Sequence, residues 1–360
     1  MEISKNDMKM LKGVAILLML LLHLFCRKEV NGLYETFPLI NNVPLIYYIG
    51  LFGDACVPIY CFASGYGLFV SYKKQYKSKN FPRLFKLLIN FWIILILFVG
   101  IGLLLGKFEA FPGGVNGFIL NFFLLSNSYN GAWWFLQTYV ILVFISPVLF
   151  KLVLKYSTIS ILLITAAIYL VSYIQRIKHV VDFGDSLLLG TISNSLVLVG
   201  TSLFPFILGT IFAKNRVYSK IYSKIYNISY KNILCATGII ALIIIHSVYE
   251  SMIIAPFTAL TFICIFTLMN KSTIVQKTFA FFGEHSTNIW LTHMFFYMSI
   301  FPSLTFAPRY PILIFIWLLI LCIISSYIIN FIYKSIIKMK IKNTPHEPNE
   351  GTYQVKLNDL

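Results

Sequence analysis

The sequence predicts an all-α, polytopic membrane protein of about ten transmembrane helices, with both termini inside. Three observations carry the prediction. The chain is 58% hydrophobic and only 12% charged, where a soluble globular domain carries about 25% charged residues. Its apolar residues gather in runs of about 20, the length a helix needs to cross a bilayer. Its lysines and arginines fall mainly on one side of those runs, as cytoplasmic loops require.

The runs lie near residues 9–26, 45–72, 84–106, 133–154, 158–175, 194–213, 232–249, 252–269, 284–301 and 311–333. No small-residue cleavage site follows the first, which therefore reads as a retained helix. The second is long enough to tilt or to break near Pro58. Segment 115–125 (VNGFILNFFLL) is too short to span and is expected to lie at the interface or re-enter. Residues 1–333 form one transmembrane domain. Residues 334–360, polar and containing Pro345 and Pro348, are expected to be a cytoplasmic tail.

With the N-terminus inside, twenty-three of the 29 basic residues fall inside; outside are Arg27, Lys28, Lys107, Arg176, Lys178 and Arg309. An invented or missed span would scramble that split. The net charge of +16 is thus accounted for by topology and by attraction to anionic lipid heads. It is not a nucleic-acid footprint, and a multi-pass cell-membrane protein is expected. The six cysteines contain no CxxC pair and no His/Cys cluster. They read as small buried hydrophobes, and no metal is expected.

Ionisable side chains are expensive within spans and mark function by default. They are Lys12, His23, Asp54, His246, Glu284, His285 and His293. Lys12 and His23 are eleven residues apart. At about 100° per residue this separation returns to within about 20° of the same direction, with a rise of about 16 Å. One helix stripe therefore carries a cation near the cytoplasm and an imidazole towards the outer side. A histidine serves as a general base near neutral pH, and a lysine binds phosphate or carboxylate. The plain alternative is a snorkelling lysine and a histidine bonded within the bundle; the shared face weighs against it.

Several elements then resemble, in order, the membrane acyltransferase-3 family. The stretch from Lys12-Gly13 to His23 is similar to its opening signature, in which an arginine precedes a histidine by ten intervening residues. Phe62-Ala63-Ser64-Gly65-Tyr66 resembles its second-helix element, and Pro82-Arg83-Leu84-Phe85-Lys86 its cytoplasmic basic element. Ala132-Trp133-Trp134-Phe135-Leu136 with Pro147, Phe204 to Gly209, and Gly283 to His293 resemble later helices. The likeness covers residues 8 to about 333. Lys12 departs from the arginine, replacing a bidentate donor with a point charge.

The resemblance implies transfer of an acyl group, usually acetyl, from cytoplasmic acyl-CoA to a hydroxyl of a cell-envelope glycan. It implies His23 as catalytic base, with an acyl-histidine intermediate as a second route. The CoA phosphates are expected on Arg83 and Lys86, with Lys12 holding a phosphate or the pantetheine arm. His293 is expected in a catalytic or donor-binding role. Asp54 is expected either to orient His23, to bind sugar hydroxyls or to face water. Trp133 and Trp134 are expected at the outer interface, as an aromatic belt or as stacking platforms for the glycan acceptor. Glu284 and His285 are expected near the inner face. A secondary transporter, or a glycan polymerase or flippase, is the alternative from another class. A transporter predicts paired broken helices in an internal repeat, which is not visible. A polymerase or flippase predicts a large outer loop or an arginine-lined cavity, and only six basic residues lie outside.

Overall fold

The computed structural model describes residues 2–75, 80–182, 184 and 187–342. Helix α1 (Lys5–Phe25) is started by a reciprocal capping box between Ser4 and Asp7. A two-residue antiparallel hairpin, Leu39–Ile40 with Val43–Pro44, follows. Then come α2 (Leu45–Leu51), α3 (Cys56–Gln75), α4 (Asn80–Leu104), the short α5 (Val115–Phe122) and α6 (Trp134–Lys155). They are followed by α7 (Thr158–Lys178), α8 (Leu187–Asn215), α9 (Val217–Ile225), α10 (Lys231–Val248) and α11 (Ala255–Leu268). The last are α12 (Thr273–Met294), α13 (Pro302–Phe306) and α14 (Pro311–Lys342).

Eight helical segments among the described residues are long and apolar enough to cross a membrane. The other two expected spans are a shorter apolar helix, Met252–Leu268, and the 22-residue α12. The protein is an all-α, polytopic membrane protein.

Three boundaries differ from the sequence expectation. The second span breaks at a 3-10 turn, Phe52–Ala55, just before Pro58, so Asp54 sits in the break itself. The ninth begins at Thr273, because its polar residues hide its first half from a hydropathy reading. This places Glu284 and His285 in mid-helix, at the level of Lys9 in the first turns of α1. Helix α14 continues to Lys342, past residue 333 where the tail was expected to start; residues 343–360 lie outside the described residues.

Two helix pairs pack backbone to backbone through glycine. A Cβ on Gly13 would lie 1.9 Å from the Phe279 carbonyl oxygen, and one on Gly283 would lie 2.0 Å from that of Lys9. The pair α3 and α8 repeats the device. There a Cβ on Gly65 would lie 1.9 Å from the Phe206 oxygen, and one on Gly209 would lie 2.1 Å from that of Phe62. Only glycine permits such approach, the usual device of membrane helix pairs. The first crossing positions the site: His23 and His293 each lie ten residues beyond their crossing glycine. At 1.5 Å per residue both stand about 15 Å from it, which brings them to one level.

Helix α4 is offset against α6. The Asn80 amide donates to the Val143 carbonyl at 2.6 Å and to Ser146 Oγ at 2.9 Å. Helix α6 runs twelve residues further, to Lys155, about 18 Å. Arg83 and Lys86, expected on a cytoplasmic loop, are therefore in the first turns of α4, beside the middle of α6 and recessed from its end.

Candidate active site

His23, on α1, and His293, at the end of α12, meet at 2.6 Å between Nδ1 and Nε2. The rings are within 6° of parallel with centroids 4.9 Å apart. That spacing, given the short N–N distance, places the bond in the ring planes rather than face to face. His293 Nδ1 lies 2.8 Å from the Trp290 carbonyl oxygen and 3.2 Å from that of Ile289. A carbonyl only accepts, so Nδ1 of His293 carries the proton. A neutral His293 then presents the lone pair of Nε2, and His23 Nδ1–H donates to it. The free lone pair of His23 is consequently on Nε2. His293 is fully buried, whereas His23 is half-buried and lines a cavity.

That cavity has a volume of about 150 Å³. His23, Asp54, Trp134, Tyr169, Tyr173 and Arg176 line it, with Met19, Phe135 and Trp290 also on its wall. Arg176 and Met252, also at the wall, place its mouth at the ends of α7 and the α10–α11 connection, which the charge pattern assigns to the outer side.

Asp54 lies on this wall, but the structure gives His23 Nδ1 to His293 and gives Asp54 another partner. His246 Nε2 is 3.4 Å from Asp54 Oδ2, with the His246 side chain fully buried. Arg176 is within electrostatic reach of Asp54, and its guanidinium rests over the Trp134 ring at 5.0 Å.

The two tryptophans have separate surroundings. Trp133 is 1% exposed, packs against Phe91 and Phe295 and donates its indole N–H to the Leu291 carbonyl at 3.1 Å. It stands in the core, not in an interfacial belt, and its faces are taken. Trp134 remains at the cavity. Asn130 also donates to the Leu291 carbonyl, so the start of α6 holds the last turns of α12, and with them His293.

Lys12 lies about 16 Å along the same stripe of α1 from His23. It is exposed, with Arg83 within electrostatic reach and Tyr139 close to Arg83. Lys12, Arg83 and Lys86 are not on the wall of the His23 cavity. Tyr60 donates to the Lys12 carbonyl at 3.2 Å. Its ring lies 6.4 Å from that of Phe135, which in turn lies 5.5 Å from Trp290. Tyr60, Phe135 and Trp290 thus form an aromatic layer between the basic recess and the cavity. Below it, Tyr60, Ser64, Gly67 and Ser71 share one face of α3, and a Cβ on Gly67 would meet nothing within 4 Å.

His285 is buried and bonds Ser326 at 2.8 Å. Glu284 is exposed and pairs with Lys9 at 2.6 Å. Asn288 joins α4 to α14: it accepts from Asn90 at 2.7 Å and donates to Ser326 and Asn330.

The fold and site are those of a polytopic membrane bundle with a histidine pair at the wall of a cavity. A family model described as an acyltransferase domain, that of the acyltransferase-3 family, matches residues 5–331, and the chain belongs to that family. No curated protein and no solved structure matches it.

Sequence reasoning missed Arg176, Tyr169 and Tyr173 as cavity residues and did not pair His246 with Asp54. A signal was present for Arg176: it follows Tyr169 and Tyr173 at seven and three residues, so all three share one helix face.

Proposed function

We propose that the protein moves an acyl group, most simply acetyl, from acyl-CoA on the cytoplasmic side to a hydroxyl of a cell-envelope glycan. The observation that carries this is the geometry of the histidine pair, with His293 Nδ1 against two carbonyls, from which the tautomer follows. It leaves a basic lone pair on Nε2 of His23, a residue of the cavity wall, while Nδ1 is held. Such an arrangement suits proton removal from an acceptor hydroxyl. Family membership supports acyl transfer over a transporter or a polymerase or flippase.

In this reading the acceptor enters the cavity from the outer side. His23 Nε2 takes the proton of its hydroxyl as the oxygen attacks the thioester carbonyl. The C–S bond breaks, and the departing CoA thiolate takes that proton from the imidazolium. His293 is a positioning residue: it holds the His23 ring and accepts Nδ1–H, as the third group of a catalytic triad does. The CoA phosphates rest on Arg83, Lys86 and Lys12, the residue types that bind phosphate. The pantetheine arm passes between Tyr60, Phe135 and Trp290. Membrane lipid surrounds the bundle.

The test is release of CoA thiol from acetyl-CoA by purified protein in liposomes, with and without an envelope-glycan extract. The reading expects acceptor-dependent release and a base-labile ester on the glycan. Glycan that stays unesterified while the thioester stays intact would refute it.

A further inference from the structure

We infer that the acceptor carries an anionic group, a carboxylate or a phosphate, near its reacting hydroxyl, and that Arg176 binds it. This rests on the acyl-transfer reading above and names the acceptor's chemistry.

Arg176 lines the cavity that reaches His23. Among the described residues it forms no ion pair and no hydrogen bond. A guanidinium has five N–H donors. Its Cζ lies 5.0 Å from the Trp134 ring centroid, a contact that uses none of those donors in a hydrogen bond. A charge within a membrane bundle is costly and is retained for function.

The neighbouring polar groups do not satisfy it. Tyr169 donates its hydroxyl to the carbonyls of Met252 and Ile253. The Tyr173 hydroxyl is bonded to Ser251 at 2.9 Å. Asp54 lies within electrostatic reach of Arg176, but its bond is to His246, and no Asp54–Arg176 ion pair forms. The N–H donors of the guanidinium are therefore the unspent group of this wall, and the groups that match a planar fork are carboxylate and phosphate.

Asp54 gives the site direction. It repels an anion and accepts a bond from a hydroxyl. An acceptor with its anionic group on Arg176 and a hydroxyl towards Asp54 is held in one orientation beneath His23. A neutral acceptor that displaced water from the cavity would leave the guanidinium edge unpaired, which costs affinity.

The test is binding to full-length protein in detergent, by calorimetry, without acyl donor. Three probes differ at one carbon: a glucuronyl disaccharide, the same disaccharide with the carboxyl reduced to the alcohol, and the same position as a phosphate monoester. At least one anionic probe is expected to bind about tenfold or more tighter than the neutral one. Whichever binds tighter separates a uronic-acid glycan from a phosphate-bearing one. Arg176→Gln should bring the anionic probe down to the neutral level, and Arg176→Lys should keep most of the preference. Each variant is checked for a monodisperse peak on size exclusion.

Equal binding of the neutral probe overturns the inference. So does unchanged anion binding by monodisperse Arg176→Gln, or no binding of either anion by the native protein. An anion bound through Arg176 without thioester cleavage on any glycan would keep this site and sink acyl transfer. Equal acyl transfer to neutral and anionic acceptors would do the reverse.

Discussion

His23 and His293 are joined by a 2.6 Å in-plane hydrogen bond, and the Trp290 carbonyl beneath His293 dictates which way its proton points. Two residues 270 positions apart are thereby held as one hydrogen-bonded pair. In the proposed reaction the direction of the bond, with Nδ1–H of His23 donating, leaves Nε2 of His23 to take the proton.

His293→Ala removes the acceptor of Nδ1–H and frees the His23 ring to rotate. The kcat should fall by roughly a hundredfold or more, with the KM for acyl-CoA nearly unchanged and the pH–rate profile altered. His293→Gln, whose amide oxygen can also accept, should recover part of the loss. A purely structural role would leave the pH profile of the residual activity unmoved.

Gly13→Val and Gly65→Val should each wedge a helix pair apart. A Cβ at either position falls 1.9 Å from an opposing backbone oxygen, which no side-chain rearrangement relieves. The loss should be at least the ~1–3 kcal/mol of ordinary overpacking, read as a lower melting temperature in detergent. Gly100→Ala on α4, where nothing lies within 4 Å, is the control. It should be neutral or stabilising by about 0.5–1 kcal/mol.

Arg83→Ala and Lys12→Ala should raise the KM for acetyl-CoA far more than they lower kcat, because both residues lie apart from the His23 cavity. Lys12→Arg should retain or improve donor affinity, since a guanidinium grips an oxyanion at two points. The KM should also rise with ionic strength, as phosphate contacts are screened.

Trp133→Ala should cost stability, through loss of a fully buried indole and its bond to the Leu291 carbonyl. Trp134→Ala should leave stability nearly intact and weaken acceptor use. Thermal melting beside acceptor KM separates the two.

At the outer surface Lys28 and Glu250 bond at 2.6 Å, with the Tyr47 hydroxyl donating to Glu250 at 2.9 Å. The Lys28 ammonium holds the Glu250 carboxyl below its usual range. Its contribution is therefore present above that range and is lost as pH falls through the lowered value. The pair is largely exposed, so the effect is small. Glu250→Gln should flatten the acid side of the stability–pH curve, measured by melting between neutral and acidic buffer.

Much of the fold was legible because bilayer crossing imposes a length and a charge bias on every segment. The Lys12–His23 stripe was legible for the same reason, being a property of one helix. The partner of His23 was not, since it depends on where α1 and α12 cross, and that level is set by Gly13 and Gly283 acting across the whole chain. The break near Pro58 was legible, but the partner of Asp54 was not: the residue sits in the turn at Phe52–Ala55 and meets His246 from a distant helix. Arg176 counted as a loop charge because hydropathy ends a span at its first cation, although α7 continues to Lys178. Arg83 counted as cytoplasmic because the stagger of α4 against α6 is set by Asn80, which leaves no trace in composition.

The most direct measurement is single-turnover transfer from labelled acetyl-CoA to envelope glycan by native protein and by His23→Ala, both monodisperse and reconstituted at equal density. The native protein should place label on the glycan, with His23→Ala at background. Equal labelling by His23→Ala would contradict the central role of the histidine pair.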